Sequence, residues 1–142
     1  MFLGEFTHTI DEKGRLTLPA KFRVVLADGV VVTRGLDGCL FIFTKAHFTA
    51  LAERAANIPV TNAEGRAFTR MLFSGASDID LDKQGRVLLP QVLREFAGLN
   101  GEVIVAGANT RIEVWGTAAW KQQREQFEGG ALDPEHWGQL GI

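Results

Sequence analysis

The chain reads as an α+β protein, rich in strand, built from two tandem copies of one small unit. Three observations predict this. A ten-residue signature occurs twice: Ile10-Asp11-Glu12-Lys13-Gly14-Arg15-Leu16-Thr17-Leu18-Pro19 and Leu81-Asp82-Lys83-Gln84-Gly85-Arg86-Val87-Leu88-Leu89-Pro90. The match then continues in register, Arg23 with Arg94, residues 30–35 with 102–107, and 40–43 with 112–115, after one extra residue near Gly101. Longer helical patterns fall only between and after the two copies. An internal repeat constrains the architecture before any single element is assigned.

Each element has a local reason. A strand over 5–10 leads into a turn at Gly14, and a second strand over 15–18 leads out. Pro19 suits the first position of a helix, here a short one over 20–26. Strands over 30–34 and 40–44 flank the turn Gly35-Leu36-Asp37-Gly38. Thr44 is a candidate N-cap for a helix over 45–56, with Phe48, Leu51, Ala52 and Ala55 on one face, and Pro59 ends it. Asn62 caps a second helix reaching Leu72. The second copy repeats the plan: strands over 77–81 and 86–89 around Gly85, a helix over 91–96 behind Pro90, and strands over 102–106 and 111–115 around Gly107-Ala108-Asn109-Thr110. Thr117 is the expected cap of a helix over 118–127, closed by Gly129-Gly130. The chain thus divides into a first unit with two helices (1–75), a second unit with a C-terminal helix (76–128) and a short tail (129–142).

Bulk properties narrow the function classes. A length of 142 residues supports a real core, and an apolar fraction of 46% is ordinary for a globular protein. A single cysteine, Cys39, excludes an internal disulfide framework and fits a reducing compartment. The N-terminus lacks the basic and apolar regions of a signal peptide. No apolar run reaches the roughly 18 residues of a membrane span. A cytoplasmic protein is the default. The net charge of −2 argues against nucleic acid, but its distribution argues the other way. Residues 11–23 carry +2, residues 82–94 carry +2, and everything else carries −6. A polyanion responds to such local fields more than to the total.

The repeated Asp-x-x-Gly-Arg is first of all hairpin chemistry. Asp bonds its own turn backbone, and Gly supplies a left-handed residue. That accounts for Asp11, Gly14, Asp82 and Gly85, but not for Arg15 and Arg86, since a strand start has no need of arginine. One use is a surface ion pair of small worth. Another is orientation, the carboxylate holding the guanidinium outward for a phosphate or a guanine edge. Spacing alone leaves both open. Lys13, Lys21 and Lys83 are unconstrained point charges suited to phosphate. Asp78, Asp80 and Asp82 share a strand face that suggests a hard metal, but Thr7 and Thr9 replace the first two in the other copy, and charged protection of an edge strand is the better account. His8, His47, His136 and Cys39 show no zinc spacing. Phe41, Phe43, Phe48, Trp115 and Trp120 fit a core better than a base-stacking platform.

The two signatures resemble those of the MraZ family of bacterial transcriptional regulators. The resemblance extends to about residue 128. It includes Met1-Phe2-Leu3-Gly4-Glu5-Phe6, the turn Gly35-Leu36-Asp37-Gly38-Cys39-Leu40, and Arg70-Met71-Leu72-Phe73-Ser74. It implies an AbrB-like looped-hinge fold, in which two units intertwine into a pseudo-twofold β-barrel with flanking helices, both units here coming from one chain. It also implies binding of double-stranded DNA through Asp11 with Arg15 and Asp82 with Arg86. The family's sites are repeats upstream of the division and cell-wall gene cluster, and its members form homo-oligomeric rings. The expected protein is a nucleoid-associated regulator without catalytic residues, metal, cofactor, small-molecule substrate or membrane partner. Rings make physical sense, because a few arginine contacts gain useful affinity only through multivalency. Two rivals stand beside this reading. One is a DNA-binding antitoxin-type module with a protein partner, for which the tail is short. The other is a small-barrel enzyme using Asp11 and Asp82 as acid and base.

Overall fold

The computed structural model describes residues 1–130 and 133–141. The first repeat contains β1 (Glu5–Thr9), β2 (Arg15–Thr17), α1 (Ala20–Arg23), β3 (Val30–Arg34) and β4 (Leu40–Thr44), followed by α2 (Lys45–Ala55) and α3 (Ala63–Ser74). The second contains β5 (Ser77–Ile79), β6 (Arg86–Leu88), α4 (Gln91–Phe96), β7 (Glu102–Ala108) and β8 (Arg111–Gly116), followed by α5 (Thr117–Glu128). A last helix, α6 (Pro134–Gln139), lies in the tail.

The two repeats are interlaced rather than side by side. Six strands form one antiparallel sheet in the order β1-β7-β8-β4-β3-β5. Each repeat's leading strand therefore pairs with the other repeat's third strand: β1 with β7, and β5 with β3. The order is a palindrome of equivalent strands. Its centre is the β4–β8 pair, where Phe41 faces Glu113, its own equivalent. A separate ribbon pairs β2 with β6, and there Leu16 faces Val87, again its own equivalent. A pseudo-twofold axis passes through both pairs.

The implied intertwining is thus present, while a closed barrel is not among the pairings. The sheet is open, with β1 and β5 as its edges, and the ribbon stands apart. The reason is the hinge. Between β1 and β2 the ladder shrinks to one bridge, Ile10 with Leu16, because the tight turn turns the chain out of the sheet.

Both sheet faces are covered, which explains the nearly continuous apolar runs of β3 and β4. On one face Val30, Val32, Leu40, Ile42, Val103, Val105, Ile112 and Val114 pack with Leu16 and Val87 of the ribbon, Leu18 just after β2, and Phe22 and Leu93 of the short helices. On the other, Phe41, Phe43, Ile104 and Trp115 meet Phe48 and Leu51 of α2 and Trp120 of α5. The caps at Thr44 and Asn62 form as expected, accepting from the His47 and Gly65 backbone N–H groups. Two helix expectations need correction. Helix α1 stops at Arg23, and the chain continues to Leu26 in turns. Gly116, not Thr117, occupies the cap of α5. The tail holds α6, whose signal was Asp133 as N-cap followed by Pro134.

Candidate nucleic-acid interface

The site is built by two superimposable hinges. In the first, Asp11 Oδ1 accepts from the backbone N–H of Lys13 at 3.0 Å and of Arg15 at 2.9 Å. Its Oδ2 accepts from Arg15 Nε at 2.6 Å. In the second, Asp82 Oδ1 accepts from the N–H of Gln84 and Arg86, both at 2.9 Å, and Oδ2 from Arg86 Nε at 2.7 Å. The backbone closes each loop, Gly14 N–H donating to the Asp11 carbonyl and Gly85 N–H to the Asp82 carbonyl, both at 3.0 Å. Gly14 and Gly85 sit at φ +88° and +74°, the left-handed region that favours glycine.

This chemistry does two jobs with one side chain. One carboxylate oxygen holds the turn and the other tethers the arginine. The tether takes only Nε, so the two terminal guanidinium nitrogens carry no hydrogen bond among the described residues. The Arg15 backbone N–H, and then its guanidinium, hold the Asp11 carboxyl below the usual carboxylate range; Arg86 does the same for Asp82. Both carboxylates are therefore ionised, and the pairing persists, at neutral pH.

Strand parity puts both arginines on one surface. Arg15 faces Leu88 and Thr17 faces Arg86 across the ribbon, while the Leu16–Val87 pair between them is fully buried. Arg15, Thr17, Arg86 and Leu88 therefore share the outward face. Residues placed diagonally like the two arginines lie about 7–8 Å apart. Their side chains are 32% and 25% exposed. Lys13 and Lys83 are exposed on the hinges, and Lys21 is exposed on α1. The lysines do not obey the repeat: Lys13 corresponds to Gln84, Lys83 to Glu12 and Lys21 to Val92. A symmetric pair of arginines thus stands in an asymmetric frame of lysines.

Two further arginines belong to the same region. Arg23 Nε donates to the Leu18 carbonyl at 2.8 Å, and Arg94 Nε to the Leu89 carbonyl at 3.0 Å. Their register match was visible in the sequence, but their packing against Gly85 and Gly14 of the opposite repeat has no local signature. The acidic trio does not converge. Asp78 pairs with Lys45 at 3.3 Å and Asp82 with Arg86, and no group of three or more His, Cys, Asp or Glu clusters among the described residues. No helix among them is long and apolar enough to cross a membrane.

Comparison with known proteins identifies the family. A family model described as "MraZ protein, putative antitoxin-like" matches residues 1–71 and again 72–134. The chain is 44% identical over 142 residues to the transcriptional regulator MraZ of Clostridium acetobutylicum, covering all of both chains. It is 47% identical over 131 residues to that of Roseiflexus castenholzii, covering 92% of each chain. It is 48% identical over 120 residues to that of Carboxydothermus hydrogenoformans, covering 84% of each.

Proposed function

The chain belongs to the MraZ family, whose relatives bear the name transcriptional regulator, and on that premise we propose that it regulates transcription by sequence-specific binding to double-stranded DNA. The observation that carries this reading is the outward ribbon face with two tethered arginines. A two-stranded ribbon is a size that the roughly 12 Å major groove admits. A guanidinium held at Nε presents its far edge in a fixed direction, which suits a bidentate contact to guanine. Asp11, Arg15, Asp82 and Arg86 form the reading pair of hinges, and Lys13, Lys21 and Lys83 make phosphate contacts. The targets we propose are the repeated sites upstream of its own gene and the associated division and cell-wall genes, reached in the cytoplasm at the nucleoid.

Assembly is part of the proposal. A cleft of about 260 Å³ opens between α2, α3 and the sheet, lined by Leu51, Phe68, Met71 and Leu72 with Phe41 and Phe43. Such an apolar opening supports a contact between copies, and a head-to-tail ring would orient successive ribbons alike, as directly repeated sites require. Leu72 itself is fully buried and takes no part in it. Light scattering that finds only a 15.6 kDa particle would refute the ring. The antitoxin-type alternative draws on the family's description, and a second small protein that co-purifies would favour it.

The test of DNA reading is a titration of Arg15→Ala and Arg86→Ala against operator and scrambled DNA at two salt concentrations. A base-reading arginine should cost about 1–3 kcal/mol per engaged site on the operator and little on scrambled DNA. A phosphate contact should weaken both and reduce the salt slope by about 0.9. We expect base reading from at least one of them. Equal loss on both DNAs for both variants would overturn it, and unchanged binding would overturn the site.

A further inference from the structure

The hinge glycines are buried, although their loops lie at the surface. What covers each is an arginine of the opposite repeat. A Cβ on Gly14 would lie 2.7 Å from Arg94 Cζ and 2.8 Å from its Nε. A Cβ on Gly85 would lie 2.4 Å from Arg23 Cδ and 2.5 Å from its Nε. Each guanidinium is aimed by its own repeat, through Nε to the carbonyl of Leu89 or Leu18. The same strands reach across by backbone: Leu89 N–H donates to the Gly14 carbonyl at 2.9 Å, and Leu18 N–H to the Gly85 carbonyl at 3.1 Å. The hydrogen bonds occur twice with the same atoms, and in both copies the arginine's Nε lies against the glycine. The glycines thus meet two demands, a left-handed φ and the absence of a Cβ where the arginine side chain passes.

We propose that Arg94 and Arg23 are positioning residues that work across the repeats, Arg94 setting the hinge that carries Arg15 and Arg23 setting the hinge that carries Arg86. The two reading arginines then behave as one rigid unit, since neither hinge can shift without displacing a guanidinium anchored in the other repeat. The plane of the group matters as much as its charge. A lysine would supply the charge but neither the Nε–H donor to the strand carbonyl nor a flat face for glycine. The consequence for binding rests on the DNA-reading proposal above, but the positioning itself does not.

Two measurements on the full chain separate these. Residue-resolved hydrogen exchange reads the hinge directly, through the N–H groups of Lys13, Gly14 and Arg15 against those of Gln84, Gly85 and Arg86. Arg94→Ala should speed exchange several-fold in the first trio and leave the second near its original rates; Arg23→Ala should do the reverse. Arg94→Lys should follow the alanine pattern, and it carries the test if the alanine variant fails to fold. A same-repeat pattern, unchanged exchange, or full recovery by lysine would overturn the proposal. The second measurement is a double-mutant cycle on operator binding. Arg94→Ala should weaken binding about three- to tenfold alone, add nothing in an Arg15→Ala background, and keep its full effect in an Arg86→Ala background. Equal additivity in both backgrounds would make Arg94 an independent DNA contact and overturn the positioning role. If Arg15→Ala does not affect DNA binding at all, the DNA reading fails, and the exchange pattern still decides the positioning claim.

Discussion

Asp11→Asn separates the two jobs of the hinge carboxylate and pits two electrostatic effects against each other. The amide oxygen can still accept from the Lys13 and Arg15 N–H groups, now 3.0 and 2.9 Å from Oδ1, so the turn should persist. The amide nitrogen then meets Arg15 Nε, a donor facing a donor, and the arginine is released. Removing a negative charge from a DNA-facing surface should by itself tighten binding. At about 7 Å in water one unit charge changes affinity less than threefold, and salt screening reduces that further. Freeing a long side chain that DNA must order again should weaken operator binding by roughly 2- to 12-fold per engaged motif. Orientation therefore wins on the operator and charge wins on random DNA. The assay is competition binding with operator and scrambled duplexes at two salt concentrations, with hydrogen exchange at Lys13 and Arg15 as the check on the turn. Operator affinity should fall while scrambled affinity stays level or rises slightly. Operator and scrambled affinities rising together would refute the idea that Asp11 serves to aim Arg15.

Other expectations concern the scaffold. Thr33 is a fully buried polar residue whose hydroxyl donates to the Leu72 carbonyl in the last turn of α3. Thr33→Val should cost about 1–3 kcal/mol by stranding that acceptor, read as a lower urea midpoint at unchanged m, and a change below about 0.5 kcal/mol would contradict the capping role. Burial, and then the nearby Arg23 charge, hold the His8 imidazole below its ordinary value. The unfolded chain therefore protonates first, so His8 contributes stability above about pH 6.5 that is lost as pH falls through the folded value. His8→Gln should flatten the decline in urea midpoint between pH 7 and 5, and an unaltered slope would count against it. Burial, and then the Glu113 carboxylate, push the Cys39 thiol up to about 12. Iodoacetamide should accordingly modify it only after denaturation, and rapid labelling of the native protein would show that the β3–β4 turn opens.

Much of this molecule was legible because its signals are local. The hinges could be read from Asp, Gly and Arg at fixed offsets, since the turn needs a side-chain acceptor and a left-handed residue within five positions. The caps at Thr44 and Asn62 were equally local. Strand partners were not. Nothing in residues 5–9 says that they pair with 102–106 rather than with 15–18, because either neighbour satisfies the same alternation. The interlacing came from the family resemblance, and of the implied barrel the pairings show a six-stranded sheet with β1 and β5 at its edges. Arg23 and Arg94 show the same boundary inside the site. Their equivalence could be read from the register, but an arginine packed on a glycine 62 or 80 positions away could not. The segment behind α1 buries Leu26 as well as Phe22, but it does so through i→i+3 turns after Arg23, with Val24 and Val25 exposed.

The palindromic strand order also imposes a schedule on biogenesis. β1 emerges from the ribosome first, yet its partner β7 follows about a hundred positions later. At ordinary elongation rates that is a wait of roughly 5–20 s, during which the first repeat holds an unmatched edge and half a core. Each repeat's leading strand has its partner in the other repeat, and the late arrival of β7 and β8 fills the sheet between β1 and β4. A nascent chain stalled near the loop between α2 and α3 should therefore be open to protease and to chaperones, whereas the finished protein, nicked at that same loop, should hold its two fragments together.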